Sequence, residues 1–227
     1  MSLIPSTGEL VALGAPIVLR DGSRVRLRPG RSSDRQLLVR GFERLSPESR
    51  YRRFLAAMPE LNSENVRYLT EIDHHDHEAI AALDEQTGEG IGVARYIRDP
   101  ERRGMAEVAV TVIDDWQGKG VGTLLVEVLS ARAREEGIAT FTGLMLASNQ
   151  EMMDLLEALG PVRIVDREVG TVEIEMPIPE VGLSPVLKRL LRAAARNDVA
   201  ATLSSRHEPA APSRSARADK SVDDARG

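Results

Sequence analysis

Hydrophobic and polar positions alternate with two periods along this chain, and the switches between them delimit its elements. Val25 and Leu27 alternate with Arg24, Arg26 and Arg28, a two-residue period that predicts a strand with one buried and one basic face. Asp21-Gly22 between this run and Ile17–Leu19 predicts a tight hairpin. Leu37, Leu38, Phe42 and Leu45 then fall on one side of a helix, with Ser32 or Ser33 as its cap. Ser46-Pro47-Glu48 predicts a second helix start, and Asn62 caps a third running through Tyr68, Leu69 and Ile72. A polar turn, Asp73 to His77, precedes strands at Ala79–Leu83 and Ile91–Ile97.

The clearest pattern spans Met105 to Glu136. Val108, Val110 and Val112 form one face of a strand, with Glu107, Ala109 and Thr111 on the other. Gln117-Gly118-Lys119-Gly120-Val121-Gly122 follows, and Leu124, Leu125, Val128 and Leu129 then recur at helical spacing. A strand passing through glycines into a helix N-terminus presents free backbone N–H groups at the positive end of a helix dipole, which suits a phosphate or pyrophosphate. Downstream, Ala139–Leu146 reads as a strand, Asn149–Leu159 as a helix stopped by Gly160-Pro161, and Arg163–Val165 and Thr171–Met176 as two closing strands.

These elements divide the chain into a flexible arm over 1–16, a catalytic-sized domain over 17–179, an amphipathic basic helix over 180–203 and a disordered tail over 204–227. The helix sets Leu187, Leu190, Leu191 and Ala194 among Lys188, Arg189, Arg192 and Arg196, while the tail has too few large apolar side chains to order itself. The helix suits a partner, an anionic surface or the domain's own apolar surface.

Composition narrows the chemistry. With no cysteine there is no disulfide, thiolate metal site or cysteine nucleophile, which suits a reducing cytoplasm. No apolar run approaches a membrane span, and no signal peptide is expected. A net charge of -5 and 3% aromatic residues argue against nucleic-acid binding. Adjacent His74 and His75 converge poorly on one ion, so no metal site is expected.

The glycine spacing fits neither GxGxxG nor the Walker pattern, because Lys119 is followed by glycine. Gln117, Gly120 and Gly122 fit Q/R-x-x-G-x-G/A, and this stretch resembles motif A of the GNAT superfamily of acyl-CoA-dependent N-acetyltransferases. The resemblance implies an α/β (α+β) fold with a mixed, mostly antiparallel central sheet flanked by helices, and acetyl-CoA as donor. It implies that Gln117, Gly118, Lys119, Gly120, Val121, Gly122 and Thr123 hold the pyrophosphate. It also implies that Thr111, Val112 and Ile113 run beside pantetheine and that Asn149 contacts coenzyme A. Asn149 reads equally as a plain helix cap, and the two roles can coexist.

A carboxylate in an apolar strand is costly unless paired or functional, and burial would raise its pKa usefully, so Glu107 is the candidate general base. Within the resemblance it matches the glutamate that removes the amine's proton, and the Thr111 N–H would polarise the thioester carbonyl. Many relatives place a tyrosine beyond the asparagine as general acid. Here the region reads Gln150-Glu151-Met152-Met153-Asp154-Leu155-Leu156, so the thiolate leaves with solvent protonation or unassisted.

Arg20 to Ser23, Arg28-Pro29, Leu45 to Tyr51, Arg53-Phe54 and Asp76 to Ala79 also resemble the GNAT domain of bacterial Pat-type protein lysine acetyltransferases. That resemblance implies a protein lysine acceptor, such as one on an acyl-CoA synthetase. Some of those enzymes add a nucleotide-binding or CoA-ligase-like domain, for which this length leaves no room. A small-molecule amine acceptor and a non-catalytic acyl-CoA-binding or interaction module are the alternatives. Oligomeric state is not encoded in any motif.

Overall fold

The computed structural model describes residues 16–178. Most of the expected arm, the basic helix and the tail lie outside them. One sheet of eight strands runs through the molecule in the order β1 to β6, then β8 and β7. Its strands are β1 (Pro16–Val18), β2 (Arg24–Pro29), β3 (His77–Asp84), β4 (Gly90–Arg98), β5 (Met105–Val112), β6 (Thr140–Leu146), β7 (Arg163–Glu168) and β8 (Thr171–Pro177). Every neighbouring pair is antiparallel except β5 and β6. The helices are α1 (Arg35–Glu43), α2 (Pro47–Phe54), α3 (Ser63–Thr70), α4 (Val121–Glu135) and α5 (Gln150–Glu157). This is the mixed, mostly antiparallel α/β architecture that the resemblance implied.

The two faces of the sheet take different covers. Val110 opposes Ala94, and Ala94 opposes Ile80 across the strands, so these residues share a face. That face receives α4, whose Leu124, Leu125, Val128 and Leu129 are at most 1% exposed. Each such side chain contributes about 1.5–3 kcal/mol by leaving water. The parallel pairing of β5 with β6 requires a crossover, and α4 is that crossover. The opposite face carries Thr111, Val93 and Ala81 in register, under α1 and α3.

Three boundaries differ from the sequence reading. Ser32 and Ser33 sit inside a 3-10 turn over Ser32–Asp34, and Asp34 precedes α1 without a side-chain cap bond to it. Its carboxylate accepts the Arg31 N–H at 2.9 Å and a two-pronged bond from Arg28 at 2.7 Å. The third helix stops at Thr70, because Glu71 is already extended. Pro16 belongs to β1 rather than to the arm, since β1 pairs with β2 from that residue.

One long-range tie sets α2. The Asp114 carboxylate, just after β5, accepts the Ser46 N–H at 2.9 Å, the Ser46 hydroxyl at 2.8 Å and the Ser49 hydroxyl at 2.9 Å. Ser46 also caps α2 through the Ser49 N–H at 3.1 Å. Burial works against the Asp114 charge, but these bonds outweigh it and hold the carboxyl below its ordinary range. A carboxyl depressed in the folded state adds stability above its unfolded pKa of 3.8, and that stability is lost as pH falls through the folded value. Asp114→Asn is therefore expected to lower stability at pH 7 and to flatten the loss between about pH 5 and 3. Urea unfolding across that range checks both effects.

Candidate active site

The site begins where two strands part. β5 and β6 pair only at Met105–Thr140, Ala106–Phe141 and Glu107–Thr142. Beyond Glu107 they diverge, and the remainder of β5 has no strand on that side. Backbone groups alternate sides along a strand, so parity decides which of them face the gap. The Ile113 N–H bonds to the Ile91 carbonyl and the Asp99 N–H to the Met105 carbonyl, both across β4 and β5. In that antiparallel register Glu107, Ala109 and Thr111 turn their amides toward β4. A Cβ on Gly92 of β4 would lie 3.0 Å from the Thr111 carbonyl oxygen, which agrees with this parity. The expected Thr111 donor is therefore spent inside the sheet. Val110 and Val112 are the residues whose backbone groups face the gap.

The gap opens into a cleft of about 510 Å³ between the end of β5, the glycine turn, α2 and α5. Gly118 and Gly120 have φ of 71° and 90°, with open space where a Cβ would sit, so both are needed for the backbone they adopt. Gly122 serves a different purpose. A Cβ there would come within 2.7 Å of Leu155 Cδ1, so this glycine lets α4 approach α5 closely. Gly120 is the residue before α4, and the helix N-terminus points its unpaired N–H groups into the turn. The Gln117 side chain donates to the Val112 carbonyl at 3.0 Å and to the Ser49 hydroxyl at 3.2 Å, which fixes the turn against β5 and α2.

Of the residues expected at the cofactor, Thr111, Val112, Gln117, Gly118, Gly120, Gly122, Thr123 and Asn149 line the cleft. Ile113 and Val121 do not line it and are buried in the core, at 3% and 0% exposure. Lys119 is turned aside, with its ammonium 4.8 Å from the Trp116 ring centroid and 3.7 Å from the Asp21 carboxylate. Asn149 caps α5, its side-chain oxygen accepting the Met152 N–H at 3.3 Å. Arg52 of α2 pairs with Glu151 of α5 at 2.8 Å, and both residues line the cleft. Sequence reasoning assigned neither to the cofactor, because a helix-to-helix contact across 99 positions leaves no local signal.

Glu107 sits at the closed end of the gap, on the last paired row of β5 and β6. It is exposed, not buried as a carboxylate within an apolar strand was expected to be. The period-2 pattern gave its face correctly but not whether that face is covered. Near it lies Arg53 of α2, pushed down to about 10 by burial and by the Arg95 cation, while Glu107 and Tyr68 act in the opposite sense. Arg95 of β4 opposes Ala109 in the row next to Glu107 and is 7% exposed. An arginine inside the apolar run Ile91–Ile97 was visible in the sequence by the same argument that singled out Glu107, and it was missed.

Comparison with known proteins agrees with this geometry. The profile of the Acetyltransferase (GNAT) family matches residues 40–160. The Acetyltransferase Pat of Mycolicibacterium smegmatis is 32% identical over 176 residues, covering 78% of this chain and 52% of that protein. The chain thus spans about half the length of that relative. An acetyltransferase of Pseudomonas aeruginosa is 37% identical over 155 residues, covering 67% of this chain and 83% of its own. Among solved structures, the GNAT domain of S. lividans PAT superposes with a TM-score of 0.66 at 35% identity, over 72% of this chain and 96% of that one. A Salmonella typhimurium protein solved with its cofactor acetyl-CoA shares the fold, with a TM-score of 0.53 at 17% identity over 71% of this chain and 98% of that one.

Gly120→Val is expected to cost roughly 1–3 kcal/mol of stability, because a β-branched residue tolerates a φ of 90° poorly. The same substitution is expected to weaken coenzyme A binding, and urea unfolding with isothermal titration checks the two effects separately.

Proposed function

The chain belongs to the GNAT family of acetyltransferases, whose members use acetyl-CoA, and from that premise we propose that it moves an acetyl group from acetyl-CoA to a primary amine on a protein lysine. We assign this activity to residues 17–179. The observation that carries the reading is the parting of β5 and β6, with a carboxylate at its closed end and backbone groups along its open edge that no strand pairs.

The cleft suits the donor. An acyl-pantetheine arm is long, narrow and amide-bearing, and the free edge of β5 at Val110 and Val112 offers it the hydrogen bonds a strand would otherwise make. The pyrophosphate finds backbone N–H groups at the Gly118–Gly122 turn and the positive end of α4. Asn149, Gln117 and Thr123 stand along the same cleft.

Glu107 takes a proton from the acceptor's ammonium, directly or through water, since a lysine of pKa ~10.4 is almost wholly protonated at neutral pH. Its exposure suits relay through solvent. The freed lone pair attacks the thioester carbonyl, and the Val110 N–H donates to the carbonyl oxygen as negative charge builds there. The carbon–sulfur bond then breaks, and the proton remaining from the attacking nitrogen reaches the departing thiolate through water. Among the described residues no tyrosine lines the cleft, which fits a thiolate leaving without a dedicated acid. The likeness to an acetyltransferase named Pat and to the S. lividans PAT domain supports a protein acceptor.

Incubation with labelled acetyl-CoA and a cell lysate, followed by mass spectrometry, is expected to show acetylated lysines. Acetylated small amines in their place would move the acceptor to a small molecule, and bound acetyl-CoA with no turnover on any amine would remove the enzymatic reading. Glu107→Gln is expected to lower kcat/KM by about 10²–10⁴-fold while leaving the Kd for acetyl-CoA unchanged. Single-turnover kinetics beside calorimetric titration separates the two quantities.

A further inference from the structure

A second cavity, of about 110 Å³, lies on the face of the sheet under α1 and α3, and it meets the donor cleft at Arg53 and Thr111, which line both. Its walls are mostly apolar; Arg31, Asp34 and Thr70 also line it, with Asp34 held by Arg28, and Arg53 and Arg95 line it as well. The other part-buried and buried arginines of the strands hold carboxylates: Arg28 pairs with Asp34 and Arg98 with Asp76. Arg53 and Arg95 have no ion pair among the described residues. Among the described residues one terminal nitrogen of Arg95 is shut away from water with no hydrogen-bond partner, in a side chain that is more than nine-tenths buried. Leaving a buried charged donor unmade costs more than leaving a neutral one, so this nitrogen calls for an acceptor beyond the described residues.

The surroundings fix what that acceptor is. The Tyr68 ring lies over the Arg95 guanidinium at 4.6 Å, engaging its face and leaving its N–H edge available. Arg53 stands over the Phe54 ring at 4.9 Å in the same way. Ala79 and Ala109 flank Arg95 across the strands, so small side chains leave its stem uncrowded. His77 bonds to the Glu71 backbone, and burial and the Arg95 cation push its pKa below 6.5, so it is neutral at pH 7. Nearby carboxylates are engaged elsewhere. Asp73 accepts the backbone N–H groups of His75, Asp76 and His77, and Glu78 meets His74 and Arg132 on the other face. Two guanidiniums and the single Glu107 leave one net positive charge at the junction, which matches a monoanion better than a phosphate dianion.

We propose that Arg95 and Arg53 form a carboxylate-binding subsite, so that the acceptor is a lysine with an acidic residue beside it. Arg95 and Glu107 stand on the same face as diagonal neighbours across β4 and β5, with Cβ atoms roughly 7–8 Å apart. A carboxylate on Arg95 therefore leaves the amine within reach of Glu107 and of the gap. The subsite deepens the acetyl-transfer reading and rests on it.

Paired peptides differing only in Glu or Gln next to one lysine test it. The wild type is expected to favour the glutamate peptide by roughly tenfold to a hundredfold in kcat/KM, the worth of a charge-assisted pair. Arg95→Gln is expected to bring that ratio near one, and Arg53→Gln, at a partly exposed position, gives the same readout should the first variant not fold. A phosphoserine peptide is expected to gain less than the glutamate peptide. Free amino acids preferred over their amides, with no preference among peptides, would keep the subsite and give it to a small acceptor. Equal rates on both peptides and on both small amines would overturn the subsite while leaving acetyl transfer standing. Acetyl-CoA binding without acetylation of any of them would overturn both.

Discussion

A sheet can accept a ligand at its centre only where two adjacent strands stop pairing, and here that happens after three residue pairs between β5 and β6. The constraint is severe, because each backbone amide turned away from its partner strand must find another acceptor or stay wet. Every other feature of the site is placed by that parting. The glycine turn lies where β5 ends, α4 begins at the turn, α5 closes the far wall, and Glu107 marks the point of divergence.

Keeping the gap open needs supports that are not themselves ligands. Asp114 gathers Ser46 and Ser49, and Gln117 bonds to Ser49 and to the Val112 carbonyl, so α2 is anchored to the end of β5 through the Asp114 and Gln117 side chains. This gives a physical account of the Ser-Pro-Glu-Ser stretch. Its two serines hold the wall of the cleft, and its proline begins the helix where a missing N–H does no harm. At the opposite wall, the missing Cβ of Gly122 leaves the room that Leu155 occupies.

Much of this was legible in the sequence because it depends on local periodicity. The alternating valines, the glycine turn and the leucines of α4 carry their geometry in spacing, and so does the assignment of Glu107 to the face opposite Val108. What spacing could not carry was pairing. Whether the Thr111 amide or that of Val110 faces the gap depends on the register between β4 and β5, which no single stretch encodes. The exposure of Glu107 depends on what covers its face, and the turning of Lys119 toward Trp116 and Asp21 depends on a residue 98 positions away (119 minus 21). Arg95 was overlooked for another reason. Among so many arginines, its isolation from carboxylates becomes visible only in three dimensions.

The short seam between β5 and β6 also has a mechanical meaning. Five strands on one side and three on the other are laced together by three rows, whereas β6 and β8 share seven. The sheet is thus two unequal leaves joined along a narrow stitch, and α4 packs on the larger leaf, against β3, β4 and β5. On the proposed function, a donor lying in the gap and bonding to both leaves would lengthen the stitch, and its binding would complete the sheet.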